Sequence, residues 1–220
     1  MPVFSFRWYN PVMNKTINVP FIKSRGFECG QTCAAMMIKY YFPNFEPDFD
    51  KINKIIHHTQ NKYTFPVQNA IILDHYGIEA KSSSTDLFET TKENPNIFRE
   101  WFGNEYKNQI KNVDIDSFNW MVKEGRRKKL IERKKTSLDD IIELFQKGCL
   151  VSLCIDSKTL HKKTGKFNGH FVILTGIKDN TILIHDPDDK AFVPYPKETI
   201  KKAYNHPIIS DDLFIAYRKK

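Results

Sequence analysis

The apolar residues of this chain change their spacing near residue 148, and this change limits the folds that the chain can adopt. Upstream of it, apolar side chains recur at helical intervals; downstream, short runs rich in valine and isoleucine have the length of strands. The predicted helices lie within 29–42, 48–58, 67–76 and 137–148, and the predicted strands within 16–22, 150–155, 169–177, 181–186 and 213–217. Helices followed by an antiparallel sheet indicate an α+β fold rather than alternating βαβ units.

The helix that begins near Cys29 has the clearest pattern, and Pro43 ends it. Met36, Met37 and Tyr40 lie three, four and seven residues after Cys33. These four side chains therefore share one face of the helix. The last predicted helix begins with a pair typical of a capping box, Ser137 and Asp140, and Gly148 closes it. The segment 16–22 contains a proline, which suits a short edge strand.

Residues 86–135 are polar, with helical spacing and one dense apolar group formed by Phe98, Trp101 and Phe102. We therefore predict that they form a helical insertion. The whole chain of 220 residues is long enough to bury a hydrophobic core. The prediction for 1–220 is a single domain that carries this insertion at 86–135.

The composition is that of a soluble globular protein, since 40% of the residues are hydrophobic and 27% are charged. Apolar runs such as 171–174 are far shorter than the roughly 20 residues of a membrane-spanning helix. Residues 1–15 lack the uninterrupted apolar core of a secretory signal, so we expect a cytoplasmic protein with no membrane partner. The four cysteines are expected to be thiols, and no cofactor is predicted.

One of these thiols has the sequence context of a nucleophile. Cys29 stands where a loop meets a helix, and unpaired backbone N–H groups and the helix dipole favour an anionic sulfur there. A cysteine nucleophile also needs a base and a group that orients the base. His170 is the candidate base and Asp186 the candidate orienting group.

The spacing of sixteen residues between His170 and Asp186 fits a β-hairpin. If Ile177 pairs with Thr181 across a three-residue loop, His170 lies opposite Asp188. Asp186 is then its diagonal neighbour on the same face, about 7 to 8 Å away between backbones. A loop one residue shorter or longer would place the two side chains on opposite faces.

Three motifs together resemble a known family: ECGQTCAAMM at 28–37, GHFV at 169–172, and the Asp-Pro pair at 186–187. They are similar to those of the double-glycine peptidases that process bacteriocin leaders, and of their stand-alone relatives, in the papain-like cysteine protease superfamily. The resemblance covers about 19–41 and 149–217. It implies a papain-like fold and a peptide or protein substrate, with Cys29 as nucleophile, His170 as general base and Asp186 as its orienting group.

One position departs from the family pattern. Members usually carry a glutamine about six residues before the nucleophile, whose amide helps to bind the oxyanion, and this chain has Lys23 there. Lys23 is the candidate replacement donor, beside the backbone N–H of Cys29. Losing one oxyanion donor typically costs about 10²- to 10³-fold in rate. A weakly active peptide-binding module is therefore the alternative to a thiol hydrolase, and an acyltransferase would use the same triad.

Other interpretations of these residue types carry less weight. Cys33 is the rival nucleophile, although its helical spacing places it in the core. Asp188 and Asp189 are rival orienting groups, which we interpret as turn residues. The gaps within the two cysteine pairs are wider than in most zinc knuckles, so no metal is predicted. The basic run 123–135 lacks interleaved aromatics, so nucleic-acid binding is not expected.

Overall fold

A computed structural model describes residues 14–85, 88–209 and 212–220, and it consists of helices packed on one twisted sheet. The helices are α1 (Cys29–Tyr41), α2 (Phe49–Ile55), α3 (Pro66–His75), α4 (Ile97–Phe102), α5 (Tyr106–Gln109), α6 (Ile115–Arg127), α7 (Leu138–Gln146), α8 (Ser157–Leu160) and α9 (Lys197–Tyr204). The strands are β1 (Lys15–Thr16), β2 (Ile78–Ser84), β3 (Ile131–Arg133), β4 (Leu150–Asp156), β5 (Gly169–Lys178), β6 (Thr181–His185), β7 (Val193–Pro196) and β8 (Leu213–Lys219). The predicted α+β class is confirmed.

The strand order is β3-β2-β8-β4-β5-β6-β7, and β1 pairs separately with β5. Every pairing but one is antiparallel, because β2 and β3 run parallel. The prediction of a purely antiparallel sheet was therefore wrong at this edge. β2 was also missed by the sequence analysis: its serines give it weak strand propensity, but Ser83 hydrogen-bonds Thr136 and the carbonyl of Lys134.

The predicted helices around α1, α2, α3 and α7 are confirmed within a few residues. Ser137 and Asp140 form the predicted capping box, with the hydroxyl accepting the Asp140 N–H at 3.2 Å. Gly148 follows with φ of +95°, a conformation that glycine adopts without strain. β7 and α9 were not predicted, since β7 has four residues of which two are prolines, and α9 has eight residues that are mostly polar.

The edge strand predicted at 16–22 is much shorter in the structure. β1 pairs with β5 only at Ile177 and Gly176, because β4 pairs with the same edge of β5 at residues 169–174. The chain therefore leaves the sheet after one further hydrogen bond, from the Ile17 N–H to the carbonyl of Thr175. Val19 is buried beneath β6, where its carbonyl accepts a hydrogen bond from His185.

The predicted insertion is helical over α4, α5 and α6, but its last residues form β3. Phe98 and Phe118 from this segment join the same cluster of buried apolar side chains as α1 and the sheet. This shared core supports our proposal that the chain is one domain with an insertion. Residues 86 and 87, where the predicted insertion begins, lie outside the described residues.

Three positive charges of the basic run 123–135 are paired with carboxylates within the described residues. Arg126 pairs with Glu93, and Arg127 pairs with Glu124. Lys128 pairs with Asp74 at 2.6 Å. These ion pairs reduce the positive charge that this surface offers to a phosphate backbone. Within the described residues, no helix combines the length and apolar character needed to cross a membrane.

Candidate active site

Cys29, His170 and Asp186 meet where the first turn of α1 faces β5 and the end of β6. Cys29 is the first residue of α1, and no side chain caps this helix end. The free backbone N–H groups of such an end stabilise negative charge on the sulfur. Glu28 does not cap the helix because its carboxylate accepts hydrogen bonds from Asn53 and Arg25 instead.

His170 lies near the start of β5 with only 5% of its surface exposed, and its ring bonds the aspartate. Nε2 of His170 lies 2.8 Å from Oδ1 of Asp186, which is itself 1% exposed. This hydrogen bond occupies Nε2, and Cys29 lies close enough to the same ring to interact with it electrostatically. The three side chains that the sequence analysis singled out are therefore brought together.

The ionised forms of His170 and Asp186 stabilise each other. Burial by itself lowers the pKa of His170, but the hydrogen bond to Asp186 and the nearby Cys29 outweigh it and raise the pKa to about 10. Burial raises the pKa of Asp186, but the hydrogen bond and the charge of His170 outweigh burial and lower it. The arrangement therefore favours a protonated His170 ring and an ionised Asp186 carboxylate.

The hairpin that joins His170 to Asp186 differs from the predicted one, yet it gives the predicted alignment. Lys178 pairs with Thr181, so the loop has two residues rather than three. This shift alone would put the two side chains on opposite faces. A bulge at Thr175 inserts one extra residue in β5 and restores the predicted register, with Ile173 opposite His185.

The rival residues are placed differently. Cys33 is fully buried, where desolvation raises the pKa of its thiol, and its Sγ donates to the carbonyl of Phe171. Asp188 is 55% exposed, and its Oδ2 lies 3.7 Å from Nδ1 of His170. Asp189 contributes a turn, because its N–H donates to the carbonyl of Asp186. The second oxygen of Asp186 lies 3.7 Å from Nε2 of His161, a neighbour that the sequence analysis missed.

Lys23 is exposed, in a loop that contacts the residue after Asp186. The next residue, Ser24, donates its N–H to the carbonyl of Pro187 at 2.8 Å. Gln31 is not a substitute for the missing glutamine. It is fully buried, and its amide bonds Asn53 and Thr64.

The four cysteines are free thiols. No group of three or more potential metal ligands occurs among the residues that the structure describes. A cavity also opens beside Cys29, lined mainly by apolar side chains that the sequence analysis did not connect with the site. Trp101 and Phe102 line it, and their hydrophobicity alone indicated only burial.

Gly30, next to the candidate nucleophile, is required by close packing. A Cβ at this position would lie 2.6 Å from Nδ2 of Asn69 and 3.1 Å from Cδ2 of Phe171. We expect Gly30→Ala to lower the free energy of unfolding by about 1–3 kcal/mol because of this overlap. It should also displace Cys29, and a displacement of about 1 Å costs roughly 10²-fold in activity. Urea unfolding and the rate of peptide cleavage measure the two effects.

The matched control shortens Asn69, the side chain that the added Cβ would overlap. Asn69 is fully buried, and neither polar atom of its amide has a hydrogen-bond partner. The double variant Gly30→Ala, Asn69→Ala should therefore recover much of the stability that Gly30→Ala loses. If the two losses simply add, the contact with Asn69 is not the reason for a glycine here.

Comparisons with known proteins point to one family. The model of the Peptidase C39 like family matches residues 16–207. No curated protein matches the chain in sequence. A candidate C39-like peptidase from Bacillus anthracis has a similar structure, with a TM-score of 0.57 and 14% identity, over 94% of this chain and 99% of that one.

Two further solved structures are similar over most of their length. The peptidase domain of Streptococcus ComA, a bifunctional ABC transporter of a quorum-sensing pathway, is 13% identical, covering 89% of this chain and 96% of that one, with a TM-score of 0.47. A double glycine motif protease from an AMS/PCAT transporter, solved with its leader peptide, is 14% identical, covering 93% and 94%, with a TM-score of 0.49. The likeness to the Bacillus structure confirms the predicted papain-like fold.

Proposed function

The chain belongs to the Peptidase C39 like family, and from this premise we propose that it is a cysteine peptidase that cleaves a peptide or amide bond through an acyl-thioester. Cys29 is the nucleophile, His170 the acid and base, and Asp186 the group that orients the histidine. The observation that carries this proposal is the hydrogen bond of 2.8 Å between His170 and Asp186, beside a cysteine at a free helix N-terminus.

The reaction proceeds in two steps with one proton carrier. The thiolate of Cys29 attacks the carbonyl carbon, and the imidazolium of His170 gives its proton to the leaving amine as the C–N bond breaks. Water then attacks the acyl-thioester while His170 accepts a proton, and the product acid leaves with the thiolate restored. An amine in place of water would make the product a new amide, so product analysis separates hydrolysis from acyl transfer.

The oxyanion of each tetrahedral intermediate needs hydrogen-bond donors. The backbone N–H of Cys29 lies at the free end of α1 and is one donor. Lys23 is the second donor in this proposal, because its loop is held against Pro187 by the neighbouring Ser24. A lysine ammonium carries a full positive charge, which makes it a stronger electrostatic partner than an amide.

Alkylation of Cys29 by iodoacetamide tests the ion pair directly. A simple thiol with a pKa of about 8.5 is mostly protonated at pH 6 to 7 and alkylates slowly there. The pKa of His170 is raised to about 10, so the imidazolium persists through this range beside Cys29. We expect the alkylation rate of Cys29 to exceed that of a simple thiol near neutral pH. Mass spectrometry of tryptic peptides identifies the labelled cysteine.

The other cysteines and one variant are the controls. Burial raises the pKa of Cys33, Cys149 and Cys154, so these thiols should label slowly. In His170→Ala the rate at Cys29 should fall at neutral pH and rise with pH, as for a simple thiol. If Cys29 of the unaltered protein alkylates no faster than a simple thiol near neutral pH, the peptidase proposal fails.

A further inference from the structure

Asn53 of α2 holds the carboxylate of Glu28, the residue that precedes Cys29, at a hydrogen-bond distance of 2.8 Å. We propose that Asn53 is a positioning residue that keeps this carboxylate away from the N-terminus of α1. The backbone N–H groups of that helix end then remain free for the sulfur of Cys29 and for the oxyanion. The inference rests on the proposed function, which makes Cys29 the nucleophile.

Two polar side chains at the start of α1 could cap the helix, but neither does. Glu28 is the N-cap residue, and Gln31 lies three residues further on. A glutamine at this third helical position can bond the backbone N–H of the N-cap residue, as in a capping box. In the structure no side chain caps α1. Both Glu28 and Gln31 bond Asn53 instead.

Asn53 uses both ends of its amide for these contacts. Its Nδ2 donates to Oε1 of Glu28 at 2.8 Å, and its Oδ1 accepts from Nε2 of Gln31 at 3.2 Å. Gln31 is fully buried, and its own amide oxygen accepts from the hydroxyl of Thr64 at 3.0 Å. Asn53 is therefore fixed by a buried partner, and its NH₂ group stays directed at Glu28.

Arg25 is the second partner of Glu28, but it restrains the carboxylate less. Its Nε lies 3.3 Å from Oε2, and its side chain is 56% exposed. The same guanidinium lies 4.0 Å from the carboxylate of Asp50 and over the ring of Phe49. Solvent weakens such an exposed ion pair. Asn53 is therefore the main restraint on Glu28.

The Glu28 carboxylate at the N-terminus of α1 would oppose the chemistry. Negative charge is attracted to such a helix end, where a side-chain oxygen accepts hydrogen bonds from the unpaired N–H groups. Glu28 would then occupy donors that Cys29 uses, and its charge would repel the negative charge that forms on the sulfur. A charge at a helix end changes an equilibrium there by about 2- to 30-fold.

Asn53→Asp tests this inference because it preserves the shape of the side chain. The new carboxylate still accepts from Gln31, but it cannot donate to Glu28 and repels it. We expect alkylation of Cys29 by iodoacetamide at pH 7 to slow by about 3- to 30-fold. For peptide cleavage, kcat should fall by a similar factor with a smaller change in KM, because Asn53 does not line the cavity beside Cys29.

The double variant Asn53→Asp, Glu28→Gln restores the contact with donor and acceptor interchanged. The new amide at position 28 donates to the new carboxylate at position 53, and the net charge equals that of the unaltered protein. Its alkylation rate and kcat should return to within about threefold of the unaltered values, because the two sites are coupled. The inference is wrong if this double variant is as slow as Asn53→Asp, or if Asn53→Asp is as fast as the unaltered protein.

Arg25→Gln is the matched control, because it removes the exposed partner of the same carboxylate. It should slow alkylation less than Asn53→Asp does. The reverse order would assign the restraint to Arg25 and overturn the inference. Should Asn53→Asp not fold, Asn53→Ala and the double variant Asn53→Ala, Glu28→Ala give the same comparison of loss and recovery without a new charge.

The alkylation rates separate this inference from the proposed function, because they need no peptide substrate. If the unaltered protein cleaves no peptide but the expected order of alkylation rates holds, the peptidase proposal fails and the role of Asn53 stands. If peptides are cleaved but Asn53→Asp alkylates and cleaves as fast as the unaltered protein, the inference about Asn53 alone fails.

Discussion

Cys29→Ala is expected to lower kcat/KM for peptide cleavage by about 10⁴-fold or more. Removal of the nucleophile from a triad of this kind costs up to about 10⁶-fold, because the remaining groups cannot form the covalent intermediate. The side chain of Cys29 is partly exposed and small, so the thermal unfolding midpoint should change little. An unchanged midpoint would show that the loss of kcat/KM comes from the missing nucleophile and not from unfolding.

Cys33→Ala is the matched control for this loss. Cys33 is one turn further along the same helix, fully buried against β5. Its replacement should reduce stability modestly through the lost packing while cleavage continues. Undiminished cleavage by Cys29→Ala, or abolished cleavage by Cys33→Ala in a folded protein, would contradict the assignment of the nucleophile.

Asp186→Asn is expected to lower kcat by about 10⁴-fold, the loss that this change causes in the serine protease triad. The amide keeps the shape of the carboxylate but removes the charge that holds the proton on His170. The pKa of His170 then falls from about 10, so the ion pair with Cys29 is lost at a lower pH than in the unaltered protein. KM should change much less, because Asp186 is buried away from the cleft.

The pH profile separates this role from a purely structural one. The alkaline limb of kcat/KM should move to lower pH in Asp186→Asn, and alkylation of Cys29 at pH 6 to 7 should slow. Asp188→Asn is the matched control, because Asp188 is 55% exposed and 3.7 Å from the same ring, where solvent screens its charge. If Asp188→Asn causes the larger loss, Asp188 and not Asp186 orients the histidine.

The hairpin of β5 and β6 shows how much of the site could be predicted from local sequence. The expected alignment of His170 with Asp186 assumed a regular strand and a three-residue loop. The chain reaches the same alignment with a two-residue loop and a bulge at Thr175. Gly176 was the available signal, because a glycine inside a strand often marks a bulge. A Cβ there would lie 2.8 Å from Leu183.

The cavity beside Cys29 could not be predicted from the sequence for a different reason. Its described walls come from the start of α3, from α4, from the segment 167–171 and from Ile208, Ile209 and Asp212, which are far apart in the chain. An apolar residue in each segment predicts burial equally well whether it faces the core or a cleft. The tertiary structure decides that Trp101 and Phe102 line the same cavity as Cys29.

The sequence by itself determined the α+β class, the helix that presents Cys29, and the strands that carry His170 and Asp186. Periodicity and capping are local properties, and a motif keeps its residue order whatever the rest of the chain does. The tertiary structure decided the register between β5 and β6, the parallel edge of the sheet, and the cavity beside the nucleophile. These features depend on contacts between distant segments, which the order of residues along one segment does not specify.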